Sequence, residues 1–266
     1  MVLVKIAFVV AASFTLGCGL FYVAQEHIIF YPESLPPDFR YSFPYPFEEV
    51  TLPVDGATMN ALLFKAENKK GVILYFHGNA GNLEGWGEIA PEFTRRGYDI
   101  FIPDYRGFGK STGKLKNEDM LHRDAERAYI YLKERYPENQ IILYGRSVGT
   151  GIAVHLAKSV KPRLLILETP FFSLLDTAKY HHPYMPNKLL KLILKYPLRT
   201  DLWISHVSCP VYLFHGTKDE IVPYSSSERL FPLINAEKRF VTIPGGGHNN
   251  LSDFKVYHEQ LDLILR

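Results

Sequence analysis

Leu143-Tyr144-Gly145-Arg146-Ser147-Val148-Gly149-Thr150-Gly151 sets a serine between two glycines, after an apolar strand and before a helical run. A strand-to-helix turn of this kind bends sharply and holds the serine hydroxyl proud of the backbone. Gly145 and Gly149 remove Cβ atoms that would clash there. Residues 140–144 (Q-I-I-L-Y) read as a buried strand and 152–159 as an apolar-periodic helix. The G-x-S-x-G pattern alone carries little weight. Its meaning comes from that context and from partners elsewhere in the chain.

A length of 266 residues allows one large α/β domain or two small ones. Hydrophobic residues at 47% and aromatics at 14% fit a globular protein and exclude disorder. The net charge is +2 without any Lys/Arg block, so no nucleic-acid partner is expected, because phosphate binding leaves a clustered basic footprint. Cys18 lies in an N-terminal apolar segment and Cys209 precedes a proline and a buried strand, so no disulfide is expected. No CxxC or His-rich spacing points to a metal. Nothing in the chain marks a dissociable cofactor.

Residues 6–24 carry no charge and are numerous enough to span a bilayer as a helix. Lys5 precedes them, and Phe21, Tyr22, Phe30 and Tyr31 cluster near the far end like interfacial aromatics. A retained single-pass anchor is the favoured reading. The alternatives are a cleaved signal, although Tyr22-Val23-Ala24 is a poor cleavage site, and a lipoprotein signal ending at Cys18. All three place the chain at or across a membrane. The expected organisation is an anchor or signal over 1–25, an extended Pro-, Tyr- and Phe-rich connection over 26–47, and a catalytic domain over 48–266.

From residue 48 a regular order is legible. Segments 49–53 and 58–65 read as antiparallel strands around a Val54-Asp55-Gly56-Ala57 turn. Strands are then expected at 71–76, 99–103, 140–144, 164–168, 210–214 and 239–243, and helices at 86–96, 118–136, 152–159, 225–233 and 252–265. Repeated βα units imply an α/β fold, a mostly parallel sheet with helices on both faces. Reactive groups then belong at the carboxyl ends of the strands. The aromatic and aliphatic stretch 169–206 interrupts the alternation and reads as a small cap over the site. A surface helix pair bracing the sheet edge is the plainer alternative.

A serine hydroxyl needs a base within hydrogen-bond reach, and that base needs an orienting carboxylate. Asp219 lies in the loop after the 210–214 strand, and His248 follows Gly245-Gly246-Gly247 in the loop after the 239–243 strand. Ser147, Asp219 and His248 thus occur in the hydrolase order, each at a strand end. The developing oxyanion needs donors. The Val148 N–H, just after the nucleophile, is one; the second is expected from Asn79, with Ala80 as alternative, in His77-Gly78-Asn79-Ala80-Gly81-Asn82. His77 and His215 read as braces for loops. Gly109-Lys110-Ser111 resembles the end of a phosphate-binding loop, but position 104, where that loop needs glycine, is Asp.

With His77-Gly78-Asn79-Ala80-Gly81, Asp104-Tyr105-Arg106-Gly107-Phe108-Gly109, Gly145-Arg146-Ser147-Val148-Gly149, His215-Gly216-Thr217-Lys218-Asp219 and His248 in hand, the chain resembles the α/β-hydrolase superfamily from about residue 48 onward. It is most similar to the small, membrane-anchored serine hydrolase branch that includes fungal cell-polarity hydrolases and animal protein depalmitoylases. The resemblance implies an eight-stranded, mostly parallel sheet and a Ser147–Asp219–His248 triad. The chain departs from the animal depalmitoylases in lacking a cysteine-rich N-terminal cluster. The function expected is hydrolysis of carboxylic esters or thioesters of apolar, lipid-like acyl substrates through an acyl-Ser147 intermediate at a membrane surface. Phe171 and Phe172 are the expected acyl contacts. A serine peptidase of the same fold and a non-catalytic binding protein are the alternatives.

Overall fold

The computed structural model describes residues 2–266, with side chains described from residue 5 onward except at 7, 10 and 11. The chain begins as helix α1 (Val2–Ile29) and a short strand β1 (Tyr31–Pro32). The hairpin β2 (Phe47–Val54) and β3 (Ala57–Phe64) turns at Gly56, whose φ of 67° suits glycine. Strand β4 (Gly71–Phe76), the two-residue strand β5 (Ala80–Gly81), helices α2 (Leu83–Trp86) and α3 (Ala90–Thr94) and strand β6 (Tyr98–Pro103) follow. Then come α4 (Glu118–Lys133), β7 (Ile141–Arg146), α5 (Val148–Ala157) and β8 (Leu164–Glu168). The interrupting stretch holds α6 (Leu174–His181), α7 (Asn187–Ile193) and α8 (Thr200–Trp203). The chain closes with β9 (Val211–Gly216), α9 (Ser225–Leu230), β10 (Lys238–Ile243) and α10 (Lys255–Ile264).

Eight strands form one sheet in the order β10-β9-β8-β7-β4-β6-β3-β2, parallel except where β3 pairs with β2 and β6. This is the mostly parallel α/β architecture expected from the sequence. Its central strands β8, β7, β4 and β6 are largely apolar and buried along almost their whole length because both faces are covered. On β4, Val72, Leu74 and Phe76 join the layer with α4 and α5, while Ile73 and Tyr75 face Phe93 of α3 and Tyr257 and Leu261 of α10. β7 divides likewise, Ile141 and Leu143 one way, Ile142 and Tyr144 the other. A period of two thus serves two helical layers.

Several segments differ from expectation: α5 begins at Val148, directly after the serine, rather than at 152, and two further stretches depart more strongly. The helix expected over 86–96 is two short ones joined by a 3₁₀ turn, Gly87–Ile89, because Gly87 packs closely against Phe43 and Phe64 and Pro91 sits in the first turn of α3. The connection over 26–47 is a packed element. β1 pairs in parallel with β5, and Phe39, Tyr41, Phe43, Tyr45 and Phe47 stack at every second position toward Phe64. Alternating aromatics in an extended chain point to one side, so one stripe covers the sheet edge.

The single-pass span expected over 6–24 is not shown. Among the described residues no helix is long and apolar enough to cross a membrane. Positions 7, 10 and 11 of that stretch lie outside the residues whose side chains are described. The end of α1 is committed to the protein. The Gln25 side chain is buried and bonded to the Ile193 carbonyl and the Lys195 N–H; Glu26 holds Lys195 (3.1 Å) and the Tyr196 hydroxyl (2.9 Å).

Candidate active site

Ser147 sits at φ 52° between β7 and α5, a backbone conformation that L-residues with side chains rarely adopt. The turn is over-determined by its surroundings. The Ser147 N–H donates to the Glu168 carbonyl (2.9 Å), and the Ser147 carbonyl accepts from the Thr150 N–H (2.9 Å) and hydroxyl (2.6 Å). A Cβ at Gly149 would collide with the Phe76 carbonyl, and one at Gly145 with Gly149 and Thr150. Strain of about 1–3 kcal/mol at such a residue persists only where packing enforces it, and here it lifts the hydroxyl from the sheet.

His248 enters from the loop after β10, where the Gly247 N–H is held by the Asn250 side chain (2.8 Å). Its Nε2 lies 2.9 Å from Ser147 Oγ and its Nδ1 2.8 Å from Asp219 Oδ2. An Nδ1–H donating to the carboxylate leaves Nε2 to accept the serine proton. Asp219, in the loop after β9, also accepts from the N–H groups of Ile221 (2.9 Å) and Val222 (2.8 Å). His215 Nε2 lies 3.3 Å away, and that ring is fixed by Ser227 Oγ (2.7 Å) and the Val222 carbonyl (3.0 Å). Burial alone would raise the Asp219 pKa. The bonds from His215 and His248, the attraction to the His248 ring and the Val222 N–H outweigh it and hold the carboxylate well below its ordinary value.

On the other side stands the loop after β4. The His77 Nδ1–H donates to the Gly78 carbonyl (2.7 Å), and the Gly78–Asn79 peptide is trans, so the Asn79 N–H points away from His77. The Asn79 carbonyl accepts from the Tyr31 N–H (2.7 Å), and its side-chain amide donates to the Ile29 carbonyl (3.0 Å). β1 thus straps this loop from behind. His77 Nε2 stands 3.3 Å from Asp104 Oδ1 in poor hydrogen-bond geometry; burial pushes the Asp104 carboxyl up, with His77 and the Leu83 N–H offsetting part of the rise. Val148 is buried at the start of α5.

The structure therefore brings Ser147, Asp219 and His248 into one line and sets Asn79 and Val148 at the adjoining strand ends. It places Phe171 elsewhere. That ring is a core residue, 2% exposed, against Gly151 on α5, and not a wall open to substrate. Phe172 is half-buried under the Arg229 guanidinium, 3.9 Å from its ring centre. Two groups escaped sequence reasoning: Arg146, which bonds Asn249 beside the histidine, and Glu168, its buried partner. The variable position inside G-x-S-x-G gives no signal for either. Among the described residues no cluster of three or more His, Cys, Asp or Glu side chains is arranged to hold a metal ion.

Fold and site together define an α/β-hydrolase. Residues 67–204, just over half of the chain, match the family described as serine aminopeptidase, S33, and the chain belongs to that family. Protein bem46 of Schizosaccharomyces pombe is 31% identical over 257 residues, covering 88% of this chain and 83% of that protein. The lysophosphatidylserine lipase ABHD12 of Danio rerio is 33% identical over 184 residues, 63% of this chain and 48% of the relative, so the match spans about half of that protein. Among solved structures, the Pyrococcus furiosus esterase Pf2001 superposes with a TM-score of 0.67 at 17% identity, covering 88% of this chain and 98% of its own, a likeness of fold. The chain is a hydrolase of this fold, in the branch that resembles bem46 and ABHD-type proteins.

Proposed function

We propose that this protein is a serine hydrolase that cleaves ester or thioester bonds of apolar, lipid-like acyl substrates through an acyl-Ser147 intermediate. The observation that carries the reading is the continuous line Ser147 Oγ–His248 Nε2 (2.9 Å) and His248 Nδ1–Asp219 Oδ2 (2.8 Å). In the first half-reaction Ser147 Oγ attacks the carbonyl carbon while His248 Nε2 takes its proton. The carbonyl oxygen becomes an oxyanion, to which the Asn79 and Val148 N–H groups donate. Collapse expels the alcohol or thiol, protonated by His248. Water, deprotonated by His248, then attacks the acyl-serine; collapse releases the acid as His248 returns the proton to Ser147 Oγ. Asp219 stays ionised throughout and holds the imidazole in the required tautomer.

A lipid ester is favoured by the lysophosphatidylserine lipase named among the relatives. A peptidase is the second reading, favoured by the description of the family itself. Labelling by a fluorophosphonate probe tests the nucleophile: the folded protein reacts at Ser147, and the Ser147→Ala variant does not. Turnover of p-nitrophenyl esters of graded chain length against matched anilides decides between the two readings. Anilide turnover equal to or better than ester turnover would overturn the esterase reading.

We further infer that α1 places this chemistry at a membrane. Supporting this, Phe8, Val9, Phe14, Leu16, Leu20 and Val23 are all exposed along it, apolar side chains of the kind that seek lipid or a partner.

A further inference from the structure

We propose that Arg146 is a positioning residue that locks the nucleophile turn, the base-bearing loop and the oxyanion loop into one register. This rests on the serine-hydrolase reading above. Arg146 is the last residue of β7, so its own backbone delivers Ser147. Its guanidinium then reaches in three directions. Nε pairs with Glu168 Oε1 (3.3 Å), and the carbonyl of the same Glu168 anchors the Ser147 N–H. Nη2 donates to the Asn249 carbonyl and side-chain oxygen (3.3 Å each), and Asn249 is the residue after His248. The planar group also lies over the Trp86 ring, 5.4 Å from its centre. That indole donates to the Ala80 carbonyl (2.7 Å), stacks on His77, and stands where a Cβ on Gly78 would be crowded at 3.2 Å. One side chain thus touches neighbours of the nucleophile turn, of His248 and of the oxyanion loop while touching none of the reacting atoms.

A fork of fixed geometry suits this task. A lysine ammonium in its place would keep the charge beside Glu168 but could not serve both that carboxylate and Asn249 while stacking on Trp86. Glu168 is itself 5% exposed and accepts from the Tyr144 and Tyr257 hydroxyls, so the guanidinium rests on a fixed base. The bland alternative is that Arg146 only neutralises that buried acid.

Four variants separate these roles: Arg146→Met, Arg146→Lys, Asn249→Ala, and Arg146→Met combined with Asn249→Ala. On a short-chain p-nitrophenyl ester, Arg146→Met is expected to lower kcat by about ten-fold with KM within about two-fold, since misplacement of a positioned group affects the chemical step. Asn249→Ala lowers kcat in the same direction, and the combined variant is no slower than Arg146→Met, because both cut one contact. Arg146→Lys melts near the parent temperature yet remains slow, and it still reports if the Met variant does not fold. Recovery of parental kcat by Lys would show that charge neutralisation suffices and overturn the proposal, as would effects of Arg146→Met and Asn249→Ala that multiply. Ser147→Ala, run alongside, keeps the two readings apart: retained turnover there removes the nucleophile assignment whatever Arg146 does.

Discussion

Asp219 shows how a single side chain acquires its role from its contacts. Two backbone N–H groups and two histidines hold its charge in a half-dry loop. Asp219→Asn leaves this geometry nearly isosteric but favours the wrong imidazole tautomer, so kcat is expected to fall by about 10³–10⁴-fold with little change in KM. The pH dependence of stability follows from the same contacts. The folded pKa lies below the unfolded value of 3.8, so the stabilisation is fully present above that value and is lost as pH falls through the folded one. Melting curves between pH 5 and pH 2 will therefore flatten in Asp219→Asn. Arg106 and Asp124 form a second critical pair, with bonds of 2.6 and 2.8 Å, while Arg106 also holds the Asp55 carbonyl at the hairpin turn (2.7 Å). Asp124→Ala strands a buried guanidinium and is expected to cost about 3–5 kcal/mol in denaturant unfolding.

Between elements, the strap matters most. β1 contributes only two residues, yet its Tyr31 N–H and the Ile29 carbonyl fix both the backbone and the side chain of Asn79. Tyr31→Pro deletes that N–H while keeping an extended backbone. It is expected to lower kcat several-fold, with Ser147 labelling slowed in parallel, because the proposed oxyanion donor is no longer preset. Helices α4 and α5 meet through His122 and His155, whose rings stack at 3.4 Å with Trp203 edge-on to both. Burial, then the neighbouring His122 and Lys158, pushes the His155 pKa down to about 3. The unfolded chain takes up this proton first, so stability declines as pH falls from about 6.5 toward 3. In His155→Gln that part of the decline is expected to disappear from thermal melts.

At the scale of the whole molecule, α1 joins two regimes. Its described first turns expose apolar side chains, and its last turns are bound to α7 and to the chain beyond it through Gln25 and Glu26. Deleting residues 2–20 is expected to abolish sedimentation with anionic phospholipid vesicles while kcat on a soluble ester stays near the parent value. Deleting residues 2–33 removes the strap as well and lowers kcat. Equal vesicle binding by the full chain and the shorter deletion would exclude α1 as the membrane contact.

Local chemistry made much of this legible beforehand. Apolar runs of five or six residues between turn signals mark buried strands whatever their neighbours, and alternation with helices dictates a parallel sheet whose carboxyl ends collect the loops. The glycines flanking Ser147 report a close approach that any sequence reader can infer. What stayed hidden depends on partners remote in the chain. Phe171 looked like a substrate contact because it is aromatic and follows a strand, but Gly151 on α5 leaves a hole that its ring fills. The 26–47 stretch read as a tether because its backbone needs are met by a loop fifty residues on. Arg146 occupies a variable position in its motif, and its three contacts come from residues 86, 168 and 249. Sequence alone determined the chain order of the eight main strands and of most helices between them, and the residue types at their ends, because propensity and hydrophobic period are local properties. Only tertiary structure decided which side chains meet, because hydrogen bonds and packing act over a few ångströms between groups that the chain holds far apart.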